Sequence, residues 1–235
     1  MELSAEERIE SQKAVDWIKS NINDIFLDMV RDVDYASVSL PVALFMAGTP
    51  GAGKTEISKL LLQNFEKQPL RIDADDFRCK IPGYDGTNAY VFQNAATIAV
   101  QKVLDRAFAK NIPFVLDGTF GYANSLMNIK RAIRHNYKPE IVFVYQEPEQ
   151  AWYFTKIREK AEGRVVPATV FIEAYLKSKQ NVRSVKDEFG DAVEVTLVIK
   201  NINADDEKVI ADIREIEPYL EKSYNEDELK GLLSW

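Results

Sequence analysis

The stretch Pro41–Thr55 reads PVALFMAGTPGAGKT. Its apolar half, Pro41–Ala47, is too short for a helix of ordinary length and runs straight into glycine, the pattern of a buried strand. The residues that follow, Gly48, Thr49, Pro50, Gly51, Ala52, Gly53, Lys54 and Thr55, match the G-x-x-x-x-G-K-[ST] pattern in full. The chemistry of that pattern is specific. Glycines let successive backbone N–H groups turn inward around phosphate oxygens without a Cβ clash, and the helix that begins beside them points its positive end at the same oxygens. Lys54 is placed to reach the β- and γ-phosphates, and Thr55 to offer its hydroxyl to magnesium. A helix over Thr55–Phe65 completes the strand, loop and helix that the motif requires. The motif implies a nucleotide with its magnesium, and the cofactors expected for this chain are ATP and Mg²⁺. The motif by itself does not separate a kinase from an ATPase or a GTPase.

The rest of the chain repeats the same alternation. Short apolar or β-branched runs at Pro69–Asp73, Ile112–Asp117, Ile141–Tyr145 and Val193–Ile199 predict four more strands. Helical periodicity predicts helices over Thr87–Lys110, Ala123–His135, a segment opened by Pro148, and another from Pro167 toward Phe189. Acidic, helical sequence is expected from there to Trp235. Strands alternating with helices imply parallel βαβ units. The fold class expected is α/β, a P-loop NTPase fold with a mostly parallel five-stranded sheet, helices on both faces and an N-terminal helical extension. The extension occupies residues 1–36. Within it Ser4 and Glu7 have capping-box spacing, and Ile18, Ile22, Ile25, Phe26 and Met29 share one face. That face reads as packed on the core, against the rival of a docking surface. Residues 37–235 form a single P-loop domain, C-terminal helices included.

Ligands of α/β sheets bind beyond the carboxyl ends of the strands. Two strands end there in acid: Asp73-Ala74-Asp75-Asp76 and Asp117-Gly118-Thr119. An acid beside a γ-phosphate serves either as base toward a substrate hydroxyl or as a magnesium holder through water. Asp also caps helices for local reasons, and at least one of Asp73, Asp75 and Asp76 is expected to do so. Arg158 and Arg164 flank a turn-like Glu162-Gly163 between the fourth and fifth strands. That is where a kinase lid would set cations on the transferring phosphoryl group. The bland alternative is a solvated basic helix end.

Other residues carry less. The net charge of −7 argues against nucleic acid as the main partner, because phosphate backbones select for excess Lys and Arg. With Cys79 as the one cysteine, no intramolecular disulfide can form, and the residue reads as packing. His135 reads as a surface or helix-capping residue. No apolar run reaches the length of a membrane helix and the start of the chain does not read as a signal peptide, so no membrane partner and a cytoplasmic location are expected. Tyr84, Asp85, Tyr90 and Asn94 are candidates to line an acceptor site, and Asn201 to lie near a nucleotide base.

Four segments together resemble the zeta-toxin family of P-loop kinases, over about Val42 to Asn201: GTPGAGKT at 48–55, IDADDF at 72–77, VLDGTF at 115–120 and IREKAEGR at 157–164. The resemblance implies that Asp75 is the catalytic base, with Lys54, Arg158 and Arg164 completing the catalytic set. It implies that Asp117 and Thr119 join Asp75 at the substrate, and that Asp117 joins Thr55 at the metal. Family members more often carry Glu where this chain has Asp117. The resemblance further implies phosphorylation of the 3′-hydroxyl of UDP-N-acetylglucosamine and restraint by a small helical antitoxin. The other readings are a P-loop phosphotransferase with a nucleoside, polynucleotide-end or antibiotic-hydroxyl acceptor, and a non-catalytic ATP-binding switch.

Overall fold

The computed structural model describes residues 3–31, 40–63, 65, 68–200 and 207–233. The chain opens with helix α1 (Ala5–Met29). The capping box forms as spaced: Glu7 N–H donates to Ser4 Oγ at 3.2 Å, and Ser4 N–H donates back to Glu7 Oε2 at 2.7 Å. Ile18, Ile22, Ile25 and Phe26 are buried in the main hydrophobic cluster, packed against helix α4 (Gln93–Ala109). The Arg106 guanidinium of α4 lies 5.8 Å from the Phe26 ring centre.

Strand β1 (Val42–Ala47) leads through the glycine loop into α2 (Lys54–Gln63). There follow β2 (Leu70–Asp73), the short helix α3 (Ala74–Arg78), α4, β3 (Phe114–Asp117), α5 (Ser125–Arg134), β4 (Lys138–Tyr145), α6 (Pro148–Glu162), α7 (Ala168–Phe189) and β5 (Glu194–Ile199). With the edge strand β6 (Lys208–Ile210), the strand order is β2-β3-β1-β4-β5-β6, the first five parallel. Strand β1 is buried on both faces. Ala43, Phe45 and Ala47 enter the cluster that holds α1 and α4, while Leu44 and Met46 pack with Ile57 of α2. The near-continuous apolar run of the sequence is what such a doubly covered strand needs. β2 and β3 lie on one side of β1 and β4 and β5 on the other. The loop after β1 therefore emerges where the strand order reverses, the usual crevice for a ligand.

The five expected strands are present, and a sixth joins them. β6 (Lys208–Ile210) pairs antiparallel with β5. Among the described residues, the segment after β5 is not the helical continuation expected: it holds β6, a 3-10 turn at Glu217–Tyr219, and seven α-helical residues in α8 (Glu226–Leu232). Ile210, Ile213 and Ile216 imitate helical spacing, but Ile213 N–H donates to the Val195 carbonyl at 3.0 Å, which continues the sheet edge. Lys186 of α7, itself buried, reaches Asp212 at 3.2 Å and fixes the same segment. Among the described residues no helix is long and apolar enough to cross a membrane.

The two readings of α1 give opposite expectations for stability. Ile18 is fully buried and Leu27 is 64 % exposed. Ile18→Ala is expected to lower unfolding free energy by about 2–5 kcal/mol. Leu27→Ala should change it by less than about 0.5 kcal/mol. Denaturant unfolding of both variants checks this, and equal small effects would mean that α1 is not part of the core.

Candidate active site

The loop after β1 is held by close backbone approach. Gly48 has φ 125°, and a Cβ there would lie 2.2 Å from the Val144 carbonyl oxygen of β4. Gly51 has φ 76°, and its Cβ would lie 2.0 Å from the Ala151 carbonyl oxygen of α6. Both positions require glycine for conformation and for space. Gly48 N–H donates to the Thr119 carbonyl at 3.1 Å, which ties the loop to the segment after β3. Lys54 begins α2 and its Nζ folds back to the Thr49 carbonyl at 2.5 Å. Burial lowers its ammonium to about 8. Asp117 opposes that shift, while Arg164 and Arg158 add to it. Thr55 sits in the first turn of α2 beside Lys54.

The acidic strand ends meet in the sheet. In the β2–β3 pairing Asp73 stands opposite Asp117, so two carboxylates lie side by side on neighbouring parallel strands. Arg71, two residues before Asp73 on β2, answers both. It pairs with Asp73, with Asp117 at 2.9 Å and with Asp76 at 2.6 Å. Asp117 is buried and also accepts from Ser58 of α2 at 3.1 Å on the same Oδ2. Asp73 caps α3, accepting from Asp75 N–H at 2.8 Å. Burial pushes its carboxyl up to about 6, against the pull of that hydrogen bond, with the neighbouring charges of Asp75 and Asp117 adding to the rise.

Asp75 stands one residue into α3. Its Oδ1 accepts from Arg78, one helical turn on, and its Oδ2 accepts from Arg164. Arg164 lies just past Gly163, whose left-handed backbone (φ 74°) ends α6. The turn expected at Glu162-Gly163 is thus a helix C-terminus that directs the following arginine to Asp75.

One cavity of about 1460 Å³ joins these parts. Its walls include the loop from Pro50 to Thr55, Asp73, Asp75, Asp117, Thr119, Arg158 and Arg164. Gly48 and Thr49 lie behind the loop rather than on that wall, Gly48 held through its N–H and Thr49 through its carbonyl. The polar face of α4 adds Gln93, Asn94 and Thr97, with Tyr90 just before it and Asn124 opposite. Of the acceptor-site candidates, Tyr90 and Asn94 reach the cavity. Tyr84 instead packs edge-on against Phe92 at 5.8 Å, and Asp85 accepts from Thr87 and Asn88 N–H in its own turn. Asn201 lies outside the described residues. Cys79 is exposed rather than packed, at the C-cap of the short α3. His135 is the C-cap of α5, exposed and stacked on Phe108 at 5.2 Å.

Sequence reasoning did not single out Arg71, Arg78 or Gln93. A signal existed for the first two. Arg71 alternates with buried Leu70 and Ile72 on β2, at the edge of the sheet, and Arg78 is three residues after Asp75 on a helix. A charged side chain in either position needs a carboxylate partner. Gln93 carried no such signal.

A family model described as Zeta toxin matches residues 28–215. Among solved structures, one from the PezAT chromosomal toxin–antitoxin system of the human pathogen Streptococcus pneumoniae superposes with a TM-score of 0.69 at 16% identity. It covers 99% of this chain and 94% of that one. The AvrRxo1-ORF1:AvrRxo1-ORF2 complex with sulphate ions gives a TM-score of 0.65 at 14% identity, over 88% of this chain and 70% of that one. The same pair with ATP gives 0.63 at 14% identity, over 84% and 65%. No curated protein matches this chain. At these identities the structural likeness speaks for the fold, and the family model, spanning β1 to β6 and the whole site, speaks for descent: the chain belongs to the zeta-toxin family.

Proposed function

We propose that this protein is an ATP-dependent small-molecule kinase that phosphorylates a sugar nucleotide, with the 3′-hydroxyl of UDP-N-acetylglucosamine as acceptor. The observation that carries the reading is the joining of two half-sites in one cavity: the phosphate-binding loop at one end, and Asp75 between arginines at the other. At about 1460 Å³ that cavity exceeds the space of a single drug-sized ligand, about 300–1,000 Å³, and suits a donor and an acceptor together. ATP as donor is supported by the loop sequence and by the ATP-bound structural neighbour. A sugar nucleotide as acceptor is supported by family membership and by the wall of neutral donors and acceptors, Gln93, Asn94, Thr97 and Asn124, which suits hydroxyl and amide groups. The neighbour from a toxin–antitoxin system supports an antitoxin as protein partner, which the family resemblance makes small and helical, with the cytoplasm as the proposed place of action.

In this reading the acceptor hydroxyl oxygen attacks the γ-phosphorus. The bond from phosphorus to the bridging oxygen breaks, ADP leaves with the electron pair, and the hydroxyl proton passes to Asp75 Oδ2. Loop N–H groups and Lys54 hold the phosphates in line, and Arg158 and Arg164 take up charge on the equatorial oxygens. Thr55 and Asp117 offer hard oxygen donors that fit Mg²⁺. Held by these two residues, the ion would supply positive charge that offsets the charge of the phosphates. Thr119, bound through its carbonyl to the loop, keeps the acceptor side in register with the donor side.

Incubation with ATP, magnesium and UDP-N-acetylglucosamine, read by mass spectrometry, should yield one added phosphoryl group on the sugar nucleotide. Lys54→Ala should lower that yield by about 10²–10³-fold, the loss typical of one preorganised charge donor. If ATP binds and no acceptor gains a phosphoryl group, the acceptor assignment is wrong.

Asp75→Asn keeps the shape of the side chain and removes the base. Transfer should fall by about 10²–10⁴-fold while affinity for a non-hydrolysable ATP analogue stays within about twofold. Undiminished transfer would remove Asp75 from the chemistry and leave the protein a different base or none.

A further inference from the structure

Both oxygens of Asp75 are engaged, and the two arginines that engage them are unlike. Arg78 is 4 % exposed in its side chain and lies on the same short helix as Asp75. Its second terminal nitrogen donates to Gln93 Oε1 of α4, so its guanidinium is fixed from two elements. Gln93 is itself oriented through its amide, which donates to Thr97 Oγ1 at 3.2 Å. The Arg78 Nε is buried and makes no hydrogen bond. Burial pulls this guanidinium below its ordinary value, and Asp75 is the first influence opposing that. Arg164 is 30 % exposed and sits on the extended segment between Gly163 and Pro167. It lines the same cavity as Lys54, whose ammonium its charge disfavours.

We infer that Arg78 is the positioning residue of the proposed base: it pins Asp75 Oδ1 and aims Oδ2 into the cavity, where Arg164 covers that oxygen until donor phosphates draw it away. The inference rests on the kinase reading above and adds to it an order of events. Arg78 has no exit, because leaving would strand a buried guanidinium and a carboxylate together. Arg164 has a better partner to go to, since a triphosphate terminus takes a guanidinium by two parallel hydrogen bonds and carries more charge than a carboxylate. When it moves, Oδ2 is bared and can take the acceptor's proton, at the moment when the phosphoryl group to be transferred is in place. Before that, the base is masked. A lysine at position 78 could reach Asp75 or Gln93 but has no planar fork to hold both.

The test compares Arg78→Met and Arg78→Lys with the wild type, measuring kcat, KM for each substrate, affinity for a non-hydrolysable ATP analogue, and melting temperature. Arg78→Met should lower kcat by about 10²-fold, the scale of a misaimed catalytic group, with analogue affinity within about twofold. Arg78→Lys should recover part of that loss. Unchanged kcat in folded Arg78→Met overturns the inference, as does a kcat loss matched by equal losses of analogue affinity and melting temperature in both variants. A crystal structure with the analogue decides the exchange: Arg78 on Oδ1 with Arg164 on the γ-phosphate supports it, and Arg164 still on Oδ2 overturns it. Wild-type protein that transfers to no acceptor overturns the kinase reading instead, and the analogue-bound structure still decides the arginine exchange.

Discussion

Everything at this site depends on a register that sets a buried acid and a half-buried one side by side. β2 and β3 are parallel neighbours, and their pairing puts Asp73 opposite Asp117 at the carboxyl edge of the sheet. Two carboxylates so placed repel each other and lose water together. The sheet tolerates them because Arg71, on the same face of β2 as Asp73, bridges both and reaches Asp76 as well. The compensation is incomplete at Asp73, whose carboxyl remains pushed up to about 6, burial being the main cause. Asp73 has a second task, capping α3, and that cap starts the helix on which Asp75 and Arg78 stand one turn apart. The strand register thus determines where α3 begins and hence where Asp75 points.

The glycine loop is tied into the same edge. Gly48 donates to Thr119, two residues beyond Asp117, and Ser58 of α2 donates to Asp117 itself. The phosphate end and the acidic end therefore share connections through the segment after β3. On the proposed reading this matters because transfer needs the γ-phosphorus and the acceptor oxygen aligned within fractions of an ångström. Close packing of Gly48 on Val144 and of Gly51 on Ala151 fixes the loop from the other side, against β4 and α6. α6 also carries Arg158 and, past its end, leads to Arg164, so one helix braces the loop and delivers the cations.

Much of this was legible in the sequence, for physical reasons that differ by element. The strand before Gly48 could be read because both of its faces are buried, which leaves an unbroken apolar run. α1 could be read because its cap is local and its buried face recurs at helical spacing. β6 could not: three residues are too few for periodicity, and the isoleucines around it are spaced as in a helix. Asp73, Asp75, Asp76 and Asp117 stood out as acids at strand ends, and the expectation that one of them is a cap holds at Asp73. Which acid meets which arginine was not legible, because it follows from strand register and from the turn at Gly163, both tertiary facts. Cys79 was misread for a related reason. Its place just behind the acidic cluster suggested packing, but the short α3 ends there and leaves the residue exposed.

The net charge of −7 says little about the cavity. Acids on its walls are largely spoken for: Asp73 and Asp117 by Arg71, Asp75 by Arg78 and Arg164, and Glu56 and Glu207 by Lys200 at 3.8 Å and 3.6 Å. Lys54 instead spends its hydrogen bond on the Thr49 carbonyl. Its ammonium is brought to about 8 by burial, with Arg164 and Arg158 pressing in the same direction. Such a group gains when an anion arrives, because the anion supplies the compensation that burial withheld. A chain that is acidic overall can therefore hold a phosphate strongly at one point. Charge at a site is decided by which side chains are already paired, and a sum over the sequence does not see that.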